Sequence, residues 1–302
     1  MTRHFLDVDD LTPAELGAVL EAARRDVPPQ VLAGRGVALV FEKPSARTRN
    51  ATELAVVQLG GHPVTLRAEE VGIDTRESAE DVARTLACYH AAIAARVYDH
   101  DHLVRMAGAV DVPVVNLLSD RAHPCQAVAD LLTLQAHFGR LAGLTVAYVG
   151  DWNNVACSLG LALGMVGAKL RLGCPPNHGP SEVEVDRLRT AGADPVVTAH
   201  PHEAAAGVDA LYTDVWTSMG QEAQAAQRRS DFEGFTIDEG VMAAAGPDAV
   251  FLHCLPAHRG EEVAATVIDG PSSLVWPQAA NRLHAARGVL LWLMAASTPV
   301  AP

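Results

Sequence analysis

These 302 residues carry no disulfide framework and no thiolate metal motif. The five cysteines (Cys88, Cys125, Cys157, Cys174 and Cys254) are odd in number, and no two form a C-x-x-C pair. Such usage fits a reduced compartment. Basic residues are also few. Lys and Arg total 23 against 36 Asp and Glu, a net charge of −13, which argues against a nucleic-acid binder with its basic face or arm. If the ligand is an anion, a local cluster of arginines must overcome a repulsive overall field. The longest apolar run, 289–296, is too short to cross a bilayer. The opening MTRHFLDVDDLT is acidic and has no apolar core of the signal-peptide kind, so a cytoplasmic setting is expected. Low-complexity tracts are absent, and with 49% apolar and 20% charged residues the chain has enough core-forming material for two domains. Neither G-x-G-x-x-G nor G-x-x-x-x-G-K-[ST] occurs, which disfavours an NAD enzyme and excludes a nucleotide P-loop.

What the chain does contain is a series of short Val/Ile/Leu-rich runs, at 36–41 (GVALVF), 91–97, 112–117, 144–150, 169–174, 194–199, 210–215 and 249–255. Most are apolar throughout rather than alternating, as expected of strands covered on both faces. Helical segments lie between them, some with explicit starts. Thr12-Pro13-Ala14-Glu15 combines an N-cap, Pro at the first helical position and Glu three residues on, and Ser78–Asp81 and Ser181–Glu184 are similar. The pattern predicts an α/β protein with two doubly wound parallel-sheet domains. The uninterrupted helix Pro124–Phe138 would join them, with the active site in the cleft between them. The expected division is 1–138 and 139–280, with a last helix from about 281 to 298 packing back on the first domain.

Several polar clusters fall at the predicted strand ends, where open α/β sheets bind ligands. After the first strand, Glu42–Arg49 (EKPSARTR) opens a helix. Ser45, Thr48 and the free N–H groups of that helix start can donate to an anion, and Arg47 can fork onto two of its oxygens. The alternative is a capped helix with two solvated arginines. Arg96 closes an apolar strand and points into a cleft or into solvent. His123 and Gln126 flank Pro124 at the start of the mid-chain helix; His123 either caps that helix or donates to a carbonyl as negative charge develops on it. Asn153 and Asn154 follow the first strand of the second half as turn and cap residues or as substrate ligands. Asp214 begins D-V-W-T-S-M-G at another strand end, as an ammonium partner or as a solvent-exposed acid. The polar stretch beyond it, QEAQAAQRRSDFEG, reads as a lid or an ordinary surface segment. Cys254, in His253-Cys254-Leu255-Pro256, is either an inert buried thiol or one presented for chemistry, with Pro256 stopping the ladder. His253, Cys254 and His258 lack the partner cluster a metal site needs, so no metal is expected.

Taken in order, Ser45–Arg49, His123–Gln126, Asp214–Gly220 and His253–Pro256 resemble the motifs of the aspartate/ornithine transcarbamoylase family, and within it the ornithine carbamoyltransferases. The resemblance covers essentially the whole chain. It implies that Ser45, Ala46, Arg47, Thr48, Arg96, His123, Gln126, Cys254, Leu255 and Arg282 hold carbamoyl phosphate, and that Asn154, Asp214, Ser218 and Met219 hold L-ornithine. Cys254, His123, Arg96 and Arg47 would be the catalytic set. The products would be citrulline and phosphate, within arginine biosynthesis, with no cofactor and with a homotrimer as the assembly. Two positions depart from the family pattern. Ala46 replaces a commoner Thr, and Gly72 falls where many members carry a Gln that reaches the donor substrate from a neighbouring subunit. The rival readings are transfer to another amine, such as putrescine or N-acetylornithine, and a catalytically idle homologue that only binds carbamoyl phosphate.

Overall fold

The computed structural model describes residues 2–217 and 222–296. The chain divides into two compact units, Met1–Ala129 with Ala280–Pro302, and Asp130–Ala279. The first unit contains α1 (Pro13–Ala23), β1 (Gly36–Phe41), α2 (Ala46–Gln58), β2 (His62–Arg67), α3 (Ala68–Val71), α4 (Ala79–Ala87), β3 (His90–Arg96), α5 (His100–Ala109) and β4 (Val114–Leu118). Helix α6 (Pro124–Phe138) begins in this unit and ends in the second. The second unit continues with β5 (Thr145–Val149), α7 (Asn154–Met165), β6 (Lys169–Gly173), α8 (Glu182–Thr190), β7 (Val196–Thr198), α9 (Pro201–Ala205) and β8 (Ala210–Thr213). It then runs through α10 (Ala225–Asp231), α11 (Glu239–Ala244), β9 (Val250–His253) and α12 (Ala265–Ile268) into α13 (Val275–Ala296), which belongs to the first unit from Ala280 onward.

Both sheets are parallel, as the apolar runs predict, in the orders β2-β1-β3-β4 and β7-β6-β5-β8-β9. Each order reverses once, between β1 and β3 and between β5 and β8, and such switch points open a crevice beyond the strands' carboxyl ends. The cores form where helices cover the sheets. Ala38, Val40, Ile93 and Ala95 pack with Leu86, Leu103 and Met106 in the first unit, and Val149, Leu211 and Phe251 with Phe232, Ile237 and Val267 in the second. Burying each larger side chain contributes about 1.5–3 kcal/mol. The predicted caps form: Thr12 and Glu15 close a reciprocal box at α1, Ser181 and Glu184 another at α8, and Ser78 accepts from Asp81 N–H at α4. Among the described residues, no helix is long and apolar enough to cross a membrane.

Some elements differ from the sequence expectation. Strand β2 was not expected, because HPVTLR carries Pro63 and is only half-buried. It lies at a sheet edge, where one missing N–H costs no ladder bond. Helix α13 starts at Val275, six residues before the expected start, since Pro277 falls in the first helical turn, where its missing N–H is harmless. Strand β7 shrinks to Val196–Thr198 at the other edge. The polar stretch after Asp214 contains the helix α10, and its Arg228 is buried. Strand β9 ends at His253, three residues before Pro256, so the proline does not terminate the ladder.

Candidate functional site

In the first unit the carboxyl ends of β1 and β3 carry the predicted anion-binding residues. Ser45 is the N-cap of α2, and its Oγ accepts from Thr48 N–H (3.3 Å) and donates to Thr48 Oγ1 (3.0 Å). Thr48 is buried, while Ala46 and Arg47, on the outward side of the first turn, are exposed. Arg96 is the last residue of β3 and is buried, which resolves the choice between cleft and solvent in favour of burial. From α13, Arg282 Nη2 donates to Thr48 Oγ1 (3.0 Å) and its Nη1 to Gln126 Oε1 on α6. One guanidinium thus ties together residues 156 and 234 positions away in sequence.

His123 lies immediately before α6, and its carbonyl accepts from the N–H groups of Gln126 and Ala127. Its side chain is almost entirely buried. Burial holds the imidazole well below its ordinary value, and the charges of Arg282, Arg96 and Arg47 push it the same way. A neutral imidazole that can donate one hydrogen bond without carrying charge therefore stands among three guanidiniums. Cys125, next to it, is driven by burial up to about 12 and stays a thiol.

Burial lowers four other histidines too: His4, His90, His100 and His284. Unfolding lets these imidazoles take up protons near 6.5, whereas the folded state resists protonation until lower pH, so the unfolded state binds more protons in that window. Stability is therefore expected to rise with pH up to about 6.5 and to fall away on acidification below it. Thermal unfolding between pH 5 and 7.5 reads this directly, and a melting temperature that is flat across that range contradicts it.

In the second unit, β5, β8 and β9 end side by side. Asn153 caps α7 with its Oδ1, accepting from the N–H groups of Val155 and Ala156, while its Nδ2 donates to Asp214 Oδ2 (2.9 Å). The Cys254 thiol donates to the other oxygen, Asp214 Oδ1 (3.0 Å). Asp214 is buried, so its carboxylate is held at both oxygens just past the switch point between β5 and β8. Asn154, the first residue of α7, is partly buried beside it in sequence. Leu255 takes a left-handed conformation (φ 59°), and its N–H donates to His253 Nδ1 (2.8 Å). Ser218 and Met219 lie outside the described residues.

Asn153, named beside Asn154 but left out of the expected ligand set, is the one of the pair that the structure bonds to Asp214. The available signal was the tandem pair after a strand, whose first member is the natural N-cap. At the other departure, Gly72 caps α3 in a left-handed conformation (φ 60°), and a Cβ there would meet the Arg76 side chain at 2.9 Å. A Gln at this position would be strained in this chain. Among the described residues, two groups of His, Cys, Asp and Glu have ligand atoms within 4.8 Å of one another: Asp214 with His253 and Cys254, and His258 with Glu261 and Glu262. The first is already accounted for by the thiol–carboxylate hydrogen bond.

Two parallel α/β units, with buried arginines near one switch point and a buried carboxylate just past the other, define the class, and the chain belongs to the aspartate/ornithine carbamoyltransferase family. The family's carbamoyl-P binding domain matches residues 3–136 and its Asp/Orn binding domain residues 142–293. The ornithine carbamoyltransferase of Acidothermus cellulolyticus is 50% identical over 307 residues, spanning 98% of each chain. Among solved structures, that of ornithine carbamoyltransferase from Thermus thermophilus superposes with a TM-score of 0.89 at 45% identity, covering 97% of this chain and 99% of the other. The enzyme from Pyrococcus furiosus gives 0.92 at 42% identity, covering 97% of both.

Proposed function

We propose that this protein is an enzyme transferring the carbamoyl group of carbamoyl phosphate to the side-chain amine of L-ornithine, releasing L-citrulline and phosphate. The observation that carries this reading is the neutral, buried His123 among Arg47, Arg96 and Arg282, with Thr48 and Gln126 bonded to the last of these. Such a set suits a phosphorylated carbonyl compound: cations for the phosphate and uncharged donors for the carbonyl.

Ser45, Arg47 and the start of α2 bind the phosphoryl oxygens before and after the leaving group departs, with the Ala46 position contributing through its backbone. Arg96, His123 and Thr48 polarise the carbonyl and stabilise the tetrahedral oxyanion, each such donor being worth about 2.7–4 kcal/mol in the transition state. Gln126 and Arg282, bonded to each other and through Arg282 to Thr48, complete the carbamoyl phosphate site. The ornithine side-chain amine titrates near ~10.4 in water, so the site must favour its neutral form, and desolvation does so. Asp214 pairs with the α-ammonium, and Asn154, Ser218 and Met219 complete the amino-acid site. Cys254 lies beside the reacting amine and, with Leu255, contacts the carbamoyl group. Residues 1–138 with 281–298 would serve the donor and 139–280 the acceptor, in a cytoplasmic homotrimer of arginine biosynthesis.

The test is citrulline and phosphate release with a panel of amines including ornithine, putrescine and N-acetylornithine. Turnover on ornithine alone supports the reading. Preference for another amine rejects the acceptor, and carbamoyl phosphate binding without any turnover makes the protein an idle homologue. A second check is Arg47→Gly, expected to weaken carbamoyl phosphate binding by about 10- to 100-fold, since a charged hydrogen bond contributes about 1.5–3 kcal/mol. Unchanged affinity by calorimetry would remove Arg47 from the phosphate site.

A further inference from the structure

Between β4 and α6 the chain makes a tight turn, Ser119–Ala122, that delivers His123. Asn116, fully buried on β4, spans it. Its Nδ2 lies within hydrogen-bond distance of Leu6 O (2.8 Å), Ser119 Oγ (3.1 Å) and Ala122 O (3.4 Å), and its own carbonyl accepts from the Cys125 thiol (3.5 Å). One residue thereby holds the positions just before and two after His123. Ser119, also fully buried, closes the turn from inside. Its N–H donates to Ala122 O (2.9 Å) and its Oγ accepts from Ala122 N–H (3.2 Å). With the Asn116 amide on its second lone pair, the Ser119 hydroxyl proton faces both Ala122 O (3.5 Å) and the nearer His100 Nδ1 (2.8 Å). His100 is itself kept neutral by burial, so that nitrogen can accept. His100 is anchored through its N–H to Asp120 Oδ1 (2.9 Å). None of these groups belongs to the carbamoyl-phosphate set. All of them fix where the main chain enters α6.

We propose that Asn116 and Ser119 are positioning residues for His123: they hold the turn that keeps its imidazole among the guanidiniums and out of water. The inference rests on the functional reading above, in which His123 acts on the carbonyl. A loosened turn lets the imidazole swing and hydrate, and a misplacement of about 1 Å is enough to cost on the order of 10²-fold in rate.

The experiment compares Ser119→Ala, Ser119→Thr and Asn116→Ala with the wild type, alone and combined with His123→Ala. Ser119→Ala is expected to lower kcat by about 10- to 100-fold, with KM for ornithine within about twofold, and Ser119→Thr, which keeps the hydroxyl, to recover most of it. In the His123→Ala background the Ser119→Ala loss should nearly vanish, because a residue acting through His123 has nothing left to position. An equal loss in both backgrounds overturns the proposal. An NMR titration of the labelled imidazoles, with His123 assigned by its Ala variant, reads the same point without turnover. His123 faces Arg282 from α13, Arg96 from β3 and Arg47 from α2. It should stay neutral in the wild type well below 6.5 and titrate nearer 6.5 in Ser119→Ala. An unmoved titration overturns the proposal even if the protein proves inactive on ornithine, an outcome that would separately reject the functional reading. Should Asn116→Ala fail to fold, the Ser119 pair decides.

Discussion

Asp214→Asn is expected to lower kcat/KM for ornithine by about 10²- to 10³-fold while leaving the affinity for carbamoyl phosphate within about threefold. The carboxylate is buried and takes a hydrogen bond at each oxygen, from Asn153 Nδ2 and from the Cys254 thiol. An amide in its place turns one acceptor into a donor, so it must oppose either the Asn153 amide or the thiol. The same change removes the negative charge that would meet a substrate ammonium. A charge-assisted hydrogen bond contributes about 1.5–3 kcal/mol and an unsatisfied buried polar group costs about 1–3 kcal/mol, which together span that range. Carbamoyl phosphate is spared because its assigned guanidiniums, Arg47, Arg96 and Arg282, belong to the other compact unit. Steady-state kinetics with ornithine varied, beside calorimetry with carbamoyl phosphate alone, separates the two effects. Ornithine kinetics within threefold of wild type would remove Asp214 from the acceptor site. An equal loss on both substrates would mean that the substitution disturbs the fold rather than a contact.

How much of this was legible beforehand depended on whether a residue's partners are local. The strand Gly36–Phe41 and the helix Pro124–Phe138 form over the residues their apolar runs delimit, because uniform burial and an unbroken helical pattern are properties of the segment itself. Ser45 and Thr48 were readable for the same reason: an N-cap and its N3 residue are three apart and need no other part of the chain. Contacts made by tertiary folding leave no such trace. Nothing in the sequence says that Asn153 meets Asp214 across 61 positions, or that Asn116 reaches back to Leu6 across 110. Arg282 entered only through resemblance to the family, since nothing beside it in α13 forms a motif and its partners are on α2 and α6. Edge elements were misjudged in the opposite direction. Strand β2 carries a proline that a central strand would not tolerate, and β7 is exposed enough that its hydrophobic run overstated its length.

Arg282→Gln tests the tertiary part of the site, and Arg287→Gln, five residues further along α13, supplies the control. Both guanidiniums are buried. Arg282 donates to Thr48 Oγ1 and Gln126 Oε1, whereas Arg287 donates to Gln58 Oε1 (2.9 Å) and to the carbonyls of Ala23 and Arg25 (2.8 Å each). Removing either leaves buried or part-buried acceptors without their donor, at up to about 1–3 kcal/mol apiece, so both variants should melt earlier. Catalysis should divide them. Arg282→Gln is expected to lower kcat/KM for carbamoyl phosphate by about 10³-fold, the scale of losing one preorganised transition-state donor, because the cation disappears and Thr48 loses its anchor. Arg287→Gln should stay within a few-fold of wild type. The pH profile supplies a second reading. Arg282 is one of the charges depressing His123, so without it the imidazole titrates higher, and the acid limb of kcat/KM moves up. It should remain below 6.5, because burial, the leading cause of the depression, is unchanged. Equal kinetic losses in the two variants would reduce Arg282 to a structural cross-link like its neighbour. An acid limb that stayed in place while activity collapsed would mean that His123 is not the group whose protonation the rate reports.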